Sequence, residues 1–286
     1  MAGALIVVGT PIGNLGDLSP RAAQELAQAD LIACEDSRRT GRLLSLSGIN
    51  APRLMVVNEY TEVDRIDQLL DHLARGERVV LVSDAGMPTV SDPGRRVVAA
   101  VTAAGYRVEA VPGPVAAATA LSVSGMRADR FVFEGFLPRK GTARAERLAS
   151  VAAEERTVVL YESPHRLART LCELAACCEP ERRAVLAREL TKLHEEIIGG
   201  TLDELSQHVA RLGVKGELVL VVEGAQRQSR SWDDETLEQA LETALDRGIS
   251  RRDAVIEVVA TTGEPKRRIY DLAVRLRDGD TPGATE

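Results

Sequence analysis

The sequence predicts an α/β protein made of two consecutive α/β domains, a parallel five-stranded sheet followed by a mixed one, with a helical C-terminal extension. Three observations predict it. Up to Pro114, five short apolar runs alternate with amphipathic helical patterns, as in repeated βα units. From Phe131 to Gly224 the apolar runs lie closer together with fewer crossover helices between them, which suits a mixed sheet. Beyond the polar stretch Gln226 to Asp234, three helical patterns follow without a strand. A chain of 286 residues accommodates two modest domains with cores of their own, and the boundaries read as 1–113, 114–225 and 226–286. Aromatic residues make up only 3% of the chain against 44% hydrophobic residues, so the cores are built from Val, Leu, Ala and Ile.

Taken in order, ALIVVG (Ala4 to Gly9) is a central parallel strand, and Ser19 caps a helix that carries Pro20 in its first turn. LIACED (Leu31 to Asp36) is a second strand. It ends on two carboxylates and is followed by SRRTGRLL, a polar segment read as edge loop. LMVVN (Leu54 to Asn58) is the third strand and ends at Asn58, Glu59 and Tyr60 on the same edge. Glu62 to Arg75 is an amphipathic helix with Val63, Ile66, Leu69, Leu70 and Leu73 on one face. Strand four, RVVLVSD, opens the turn SDAGMPTVSDPG, and YRVEAVPGP is strand five. In the second half, VAAATALSVSG is a helix of small residues and FVFEGFLPRK is a strand with a basic loop. TVVLYESPHR is a strand broken at Pro164, RAVLAREL is another, IIGGT is short and edge-like, and KGELVLVVEG is the last. The extension reads as Glu235 to Arg247, Arg251 to Thr261 and Lys266 to Arg277. The last two suggest a helix-turn-helix, with Gly263 in the turn and Lys266, Arg267 and Arg268 opening the second helix; a plain helical cap is the other reading.

The turn Ser83 to Gly94 holds the most chemistry. Gly86 and Gly94 present no side chain, Pro88 and Pro93 fix the path, and Asp84 and Asp92 supply carboxylates at the carboxyl end of a buried strand, where α/β sheets bind ligands. A tight βα connection using Asp92 as a helix cap accounts for half of the turn but leaves Asp84 and SDAGMP without a purpose.

Several function classes are excluded. The glycines after the first strand (Gly9, Gly13, Gly16) form neither GxGxxG nor a GKS or GKT ending, which argues against a pyrophosphate-bearing ligand. Cys34, Cys172, Cys177 and Cys178 show no CxxC spacing and the four histidines are scattered, so neither a metal site nor a disulfide framework is expected. No apolar run reaches membrane-spanning length and no signal peptide opens the chain, so a soluble, cytoplasmic protein is expected. A formal net charge of -7 opposes indiscriminate coating of nucleic acid and leaves room for local basic patches at Arg38, Arg39 and Arg42, at Arg139, Lys140, Arg144 and Arg147, and at Lys266 to Arg268.

Together, TPIGNLGDLSPRA, CEDSRRTGRLL, VSDAGMPTVSDPG, VPGPVAAATALSVSG, FEGFLPRK, LYESPHR and KGELVLVVEG resemble the tetrapyrrole methylase superfamily. Within it they resemble most the ribosomal RNA small-subunit methyltransferase I family, densely from Leu5 to about Gly224. The resemblance implies S-adenosylmethionine held in a cleft between two α/β domains, a homodimer, and 2'-O-methylation of a cytidine ribose in small-subunit ribosomal RNA. By similarity, cofactor contact falls to Pro11, Asp84, Ala85, Gly86, Pro112, Val115, Ala116, Tyr161 and the strand around Ala187, with Gly216 and Glu217 behind them. A sulfonium methyl is already activated, so the protein must align the acceptor oxygen and accept its proton. Asp36, Glu59, Asp84, Glu162 and Lys215 sit at the sheet edges. Asp36 and Glu59 are preferred as substrate-side groups because Asp84 is better used on the cofactor. Arg38, Arg39, Arg139, Lys140 and Arg144 are the candidates for RNA phosphates, with recognition through the 2'-hydroxyl of a splayed nucleotide. A methylase of a tetrapyrrole-like small molecule, a modifier of a protein side chain and a non-enzymatic RNA binder are the rival readings.

Overall fold

A computed structural model describes residues 3–50, 52–226 and 232–278. The chain divides into two units, Met1–Ala225 and Gln226–Glu286. Within the polar linker read at Gln226 to Asp234, residues 227–231 lie outside those described.

In the first unit, β1 (Ala4–Val8), α1 (Pro20–Gln28), β2 (Leu31–Cys34), α2 (Ser37–Leu46), β3 (Arg53–Val56), α3 (Glu62–Ala74), β4 (Arg78–Val82), α4 (Arg95–Ala103) and β5 (Arg107–Val111) follow one another. The five strands form an all-parallel sheet in the order β3-β2-β4-β1-β5. Its strands are nearly continuous apolar runs because both faces are covered. Leu5, Val7, Leu31, Ala33, Val79 and Leu81 meet α3 and α4 through Leu69, Leu73, Val97 and Val101. The alternate residues Ile6, Val8, Ile32, Cys34, Val80 and Val82 meet α1 and α2 through Ala22, Leu26 and Leu44.

The second sheet is built from β6 (Phe131–Phe136), β7 (Thr157–Glu162), β8 (Arg183–Arg188), β9 (Glu196–Thr201) and β10 (Leu218–Val222) in the order β6-β7-β10-β8-β9. Only β6 and β7 run parallel; the other pairings are antiparallel. One face packs Val158, Leu160, Leu186, Leu218 and Leu220 on α6 (Thr142–Ala153), α7 (Pro164–Cys177) and α8 (Leu202–Leu212). The other packs Val159, Val185, Ala187, Val219 and Val221 against α5 (Ala116–Ser124), together with Ile12 from the loop after β1 and Leu190 from the loop after β8. The small residues of α5 allow this close approach. Ile12 also belongs to the first sheet's loops, so this core seats those loops against the second sheet.

Local signals set most helix ends. Ser19 accepts from the Ala22 amide with Pro20 behind it, and Thr201 and Glu204 form a capping box on α8. Two starts differ from expectation. SRRTGRLL is not a loop but the body of α2, capped by Asp36, whose carboxylate accepts from the Arg38 amide. The N-cap of α4 is Gly94, at φ 118, and not Asp92. The missing cap comes from Glu62 at the start of α3. One of its oxygens accepts from the amides of Gly94 (3.2 Å), Arg96 (2.6 Å) and Val97 (3.2 Å), and the residue is buried. Glu62→Ala is expected to remove about 1–2 kcal/mol, the scale of a lost cap. Hydrogen exchange checks it: protection should drop first at Arg96 and Val97, and unchanged protection there would contradict the assignment.

The second unit is α9 (Asp234–Asp246), α10 (Arg251–Thr262) and α11 (Lys266–Asp278), closed around Leu237, Leu241, Val255, Val258, Ile269 and Leu272. Gly263, at φ 71, ends α10 in the left-handed conformation. Arg268 is committed inside this unit, to Asp234 at 2.7 Å, Glu264 at 2.8 Å and the Trp232 carbonyl at 2.8 Å, whereas Lys266 and Arg267 are exposed.

Candidate functional site

At the carboxyl edge of the first sheet, the loops after β1 and β4 are tied by two backbone hydrogen bonds: the Thr10 amide donates to the Gly86 carbonyl at 2.9 Å, and the Gly86 amide returns to Thr10 at 3.1 Å. Gly86 sits at φ 84, a conformation that glycine adopts without strain. Beyond it, Thr89 (φ 74) and Ser91 (φ 63) are left-handed without being glycine, and the Thr89 amide folds back onto the Pro93 carbonyl at 3.2 Å. Such strain costs of order 1–3 kcal/mol per residue and gathers where function needs a particular path. A matching pair, Glu189 (φ 51) and Thr191 (φ 66), lies in the loop after β8.

These loops border a cleft of about 430 Å³. One wall is Asp84, Ala85, Gly86, Met87, Val90, Ser91 and Asp92, with Glu35 and Arg39 from the end of β2 and the start of α2. The floor includes Ile12, Val115 and Ala116. The facing wall is Phe136, Tyr161 to Pro164, Leu190 and Gly216 to Val219. Tyr161 packs edge-on to Phe133 and Phe136, with centroids at 4.9 and 5.6 Å, and its hydroxyl accepts from the Ala117 amide in the first turn of α5 at 3.2 Å. Burial pushes its phenol up.

The cleft is acidic. Asp84 accepts from the Asp36 amide at 3.1 Å and pairs with Arg39 at 3.4 Å, yet burial still holds its carboxyl above the ordinary value. Burial, followed by the charge of Asp84, raises Glu35. Asp92 is pushed up to about 6, first by burial and then by Glu35 and Asp84, against the opposing Ser83 hydroxyl. Two further acids are matched within the chain. Glu162 accepts from Thr170 at 2.6 Å and the Ser163 amide at 2.8 Å and pairs with Arg166 at 3.2 Å; Glu217 pairs with Lys192 at 3.1 Å.

The fold therefore brings Asp84, Ala85, Gly86, Val115, Ala116 and Tyr161 to one cleft, with Gly216 and Glu217, and Arg39 beside them. It does not bring the rest. Pro11 is half-buried next to the cleft residue Ile12, and Pro112 is exposed at the end of β5; neither lines the cleft. Ala187 is fully buried in the core against α5, so its side chain cannot reach a ligand. Asp36 caps α2 and is gripped by the Arg38 guanidinium at 3.1 and 2.7 Å, which lowers its carboxyl to about 2. A carboxylate held that low is a poor proton acceptor. Glu59 is exposed in the turn after β3, outside the cleft lining. Arg38, Arg139 and Lys140 are exposed. Arg144 is the clear correction. It is 3% exposed, and its guanidinium is spent on Glu173, Thr170 and the Pro138 carbonyl, so it has no face to offer a phosphate. Glu35 and Asp92 were missed as site residues, although the doubled Ser-Asp of SDAGMPTVSDPG pointed to the second of them.

Among the described residues, no helix is long and apolar enough to cross a membrane, and no group of three or more His, Cys, Asp or Glu side chains is placed to hold a metal ion.

Residues 4–206 match the family described as Tetrapyrrole (Corrin/Porphyrin) Methylases. Among solved structures, the methyltransferase CobJ superposes with a TM-score of 0.60 at 24% identity, covering 78% of this chain and 95% of that one. A uroporphyrin-III C-methyl transferase from Thermus thermophilus, complexed with S-adenyl homocysteine, gives 0.55 at 19%, covering 77% and 96%; at these identities the likeness concerns the fold. Sequence relatives are nearer. The Ribosomal RNA small subunit methyltransferase I of Synechocystis is 43% identical over 96% of this chain and 98% of its own, and that of Xylella fastidiosa is 44% identical over 94% and 98%. With the two-sheet fold, the cleft at the sheet edges and this near full-length identity, the chain belongs to the ribosomal RNA small subunit methyltransferase I family of tetrapyrrole methylases.

Proposed function

We propose that the cleft binds S-adenosylmethionine and that the enzyme transfers its methyl group in line to the 2'-oxygen of a cytidine ribose in small-subunit ribosomal RNA. The observation that carries this reading is the cleft itself. Its volume of about 430 Å³ suits a nucleoside with an amino-acid tail, its walls mix apolar side chains with backbone, and five acidic residues line it where a pyrophosphate would need cations. The names of the relatives and the S-adenyl homocysteine in the Thermus uroporphyrin-III enzyme point the same way.

In the reaction the ribose O–H bond breaks, the oxygen–methyl bond forms and the methyl–sulfur bond breaks, with the electron pair going to sulfur. The donor supplies an activated methyl group; the chain supplies alignment and a place for the proton. We assign cofactor contact to Asp84, Ala85, Gly86, Val115, Ala116 and Tyr161. Glu35, in the cleft and raised by burial, takes the proton-accepting role that the sequence placed on its neighbour Asp36, while Asp36 keeps α2 and Arg38 in position at the substrate edge. Phe136, half exposed beside Tyr161, offers a surface on which a splayed base can stack. Arg38, Arg39, Arg139 and Lys140 contact phosphates. The active form is a homodimer working in the cytoplasm.

Calorimetric titration tests the donor site. Wild type is expected to bind S-adenosylmethionine in the micromolar range and Asp84→Ala at least tenfold more weakly, because Asp84 also holds the Asp36 amide and Arg39. Methyl-labelled donor, incubated with small subunits or with naked ribosomal RNA, tests the acceptor: after digestion the label should appear in 2'-O-methylcytidine. Label in a base, or none from either substrate, would overturn the acceptor assignment.

A further inference from the structure

Among the described cleft residues, Glu35, Asp84 and Asp92 share a single guanidinium, that of Arg39, whereas on the other wall Glu162 pairs with Arg166 and Glu217 with Lys192, which Glu189 also holds. The described cleft therefore carries more negative charge than it neutralises. Two of the three acids have defined partners: Asp84 holds Arg39 and the Asp36 amide, and Glu35 lies beside the Asp84 amide at 3.5 Å. Among the described residues, Asp92 has the Ser83 hydroxyl as its hydrogen-bond partner and the charges that act on it are those of Glu35 and Asp84, not a cation; the strained turn Thr89 to Ser91 carries it into the cleft wall on the same side as Ala85 and Gly86. Its earlier explanation, a helix cap, is void because Glu62 caps α4.

We propose that Asp92 is the specificity residue for the donor's positive charge: it supplies the unmatched carboxylate that favours the sulfonium of S-adenosylmethionine over the neutral thioether of S-adenosylhomocysteine. The proposal rests on the donor assignment made above. When the methyl leaves, sulfur loses its charge and the cleft loses its counter-ion, so product release is favoured by the same side chain.

A pH signature follows. The groups facing Asp92 are Glu35, Asp84 and the Tyr161 phenol, with Arg39 beyond Asp84. The carboxyl of Asp92, ordinarily at 3.8, stands at about 6 in the folded protein. The folded state thus holds a proton that the unfolded state has lost between those values, and stability falls as pH rises through that window. A bound cation offsets the penalty, so sulfonium binding must tighten as pH rises through about 6.

The test is calorimetry with S-adenosylmethionine and, separately, S-adenosylhomocysteine, on wild type and Asp92→Asn at pH 5 and pH 8. In wild type the preference for the charged ligand should grow with pH and reach about tenfold at pH 8, the effect of one close, partly screened charge pair. In Asp92→Asn that preference should collapse and its pH dependence flatten, with S-adenosylhomocysteine binding and the melting temperature retained as evidence of an intact cleft. A preference equal in both proteins at both pH values, or a variant that loses both ligands equally, overturns the proposal. Failure of wild type to bind either ligand removes the donor assignment itself, a distinguishable result.

Discussion

Arg144→Ala should lower the melting temperature by roughly 2–12 °C, while Arg139→Ala, five residues earlier, should leave it within a degree or two. Leaving buried polar partners without their hydrogen bonds costs about 1–3 kcal/mol, and for a unit of this size each kcal/mol moves the midpoint by about 2–4 °C. The mechanism is a relay. Arg144 donates to Thr170 at 2.9 Å and to Glu173 at 2.8 Å, and Thr170 in turn donates to the buried carboxylate of Glu162 at 2.6 Å. Hydrogen bonds from Arg144 and Arg169 outweigh burial and hold Glu173 below its ordinary value; without Arg144 it keeps Arg169 at 2.8 Å, so the larger loss falls on the buried Thr170 and Glu162 end of the relay. Arg144→Lys should not restore stability, because one ammonium cannot span Glu173, Thr170 and the Pro138 carbonyl as a guanidinium fork does. RNA binding sorts the two arginines in the opposite sense: Arg139, exposed beside Lys140, should weaken the association with ribosomal RNA when replaced, with a reduced salt dependence. If Arg144→Ala melted like wild type but lost RNA affinity, the buried relay would be wrong and the sequence's phosphate role for Arg144 would stand.

That contrast shows where the sequence is readable. Apolar runs of four to six residues announced the central strands because these are covered on both faces, and Ser19-Pro20 announced a helix because the cap and its target are neighbours. Gly86 and Asp84 were visible as candidates, and both line the cleft, since a strand end with glycine, proline and acid has few other uses. What failed depended on partners far along the chain. Arg144 reads as one more cation in RKGTARAER until Glu173, 29 residues on, is folded against it. Asp92 reads as a cap because Glu62, 32 residues before Gly94, cannot be seen doing that work. Asp36 looked like a free acid at a sheet edge, and only the turn of α2 brings Arg38 around onto it. SRRTGRLL looked like a loop because its charges and Gly41 hide the short apolar stripe that ends in the buried Leu44.

Gly113→Ala should destabilise the first unit by about 3 kcal/mol, at the upper end for a methyl forced into packed structure, and should weaken donor binding as well. A Cβ on Gly113 would stand 2.7 Å from the Gly9 Cα and 2.8 Å from its carbonyl carbon, and one on Gly9 would stand 2.6 Å from the Gly113 Cα. Neither glycine adopts a positive φ, so the requirement is one of space. The obstruction is backbone, which cannot rotate away as a side-chain tip does. Nor can the strands part freely: the Gly9 amide donates to Val111 at 3.0 Å, and the next residue, Thr10, is bridged to Gly86. The loops after β1, β4 and β5 therefore meet at this crossing, and they carry Ile12, Ala85, Gly86, Val115 and Ala116 into the cleft. A displacement of a few tenths of an ångström here moves the floor of the site, which is why binding and stability should fall together. Gly41→Ala is the control. It lies inside α2 with nothing within 4 Å of the added carbon, and should raise stability by about 0.5–1 kcal/mol through helix propensity alone. Thermal melts and donor titrations on the two variants decide the matter. Loss of stability in Gly113→Ala with donor affinity intact would mean that the crossing holds the sheet together without shaping the cleft.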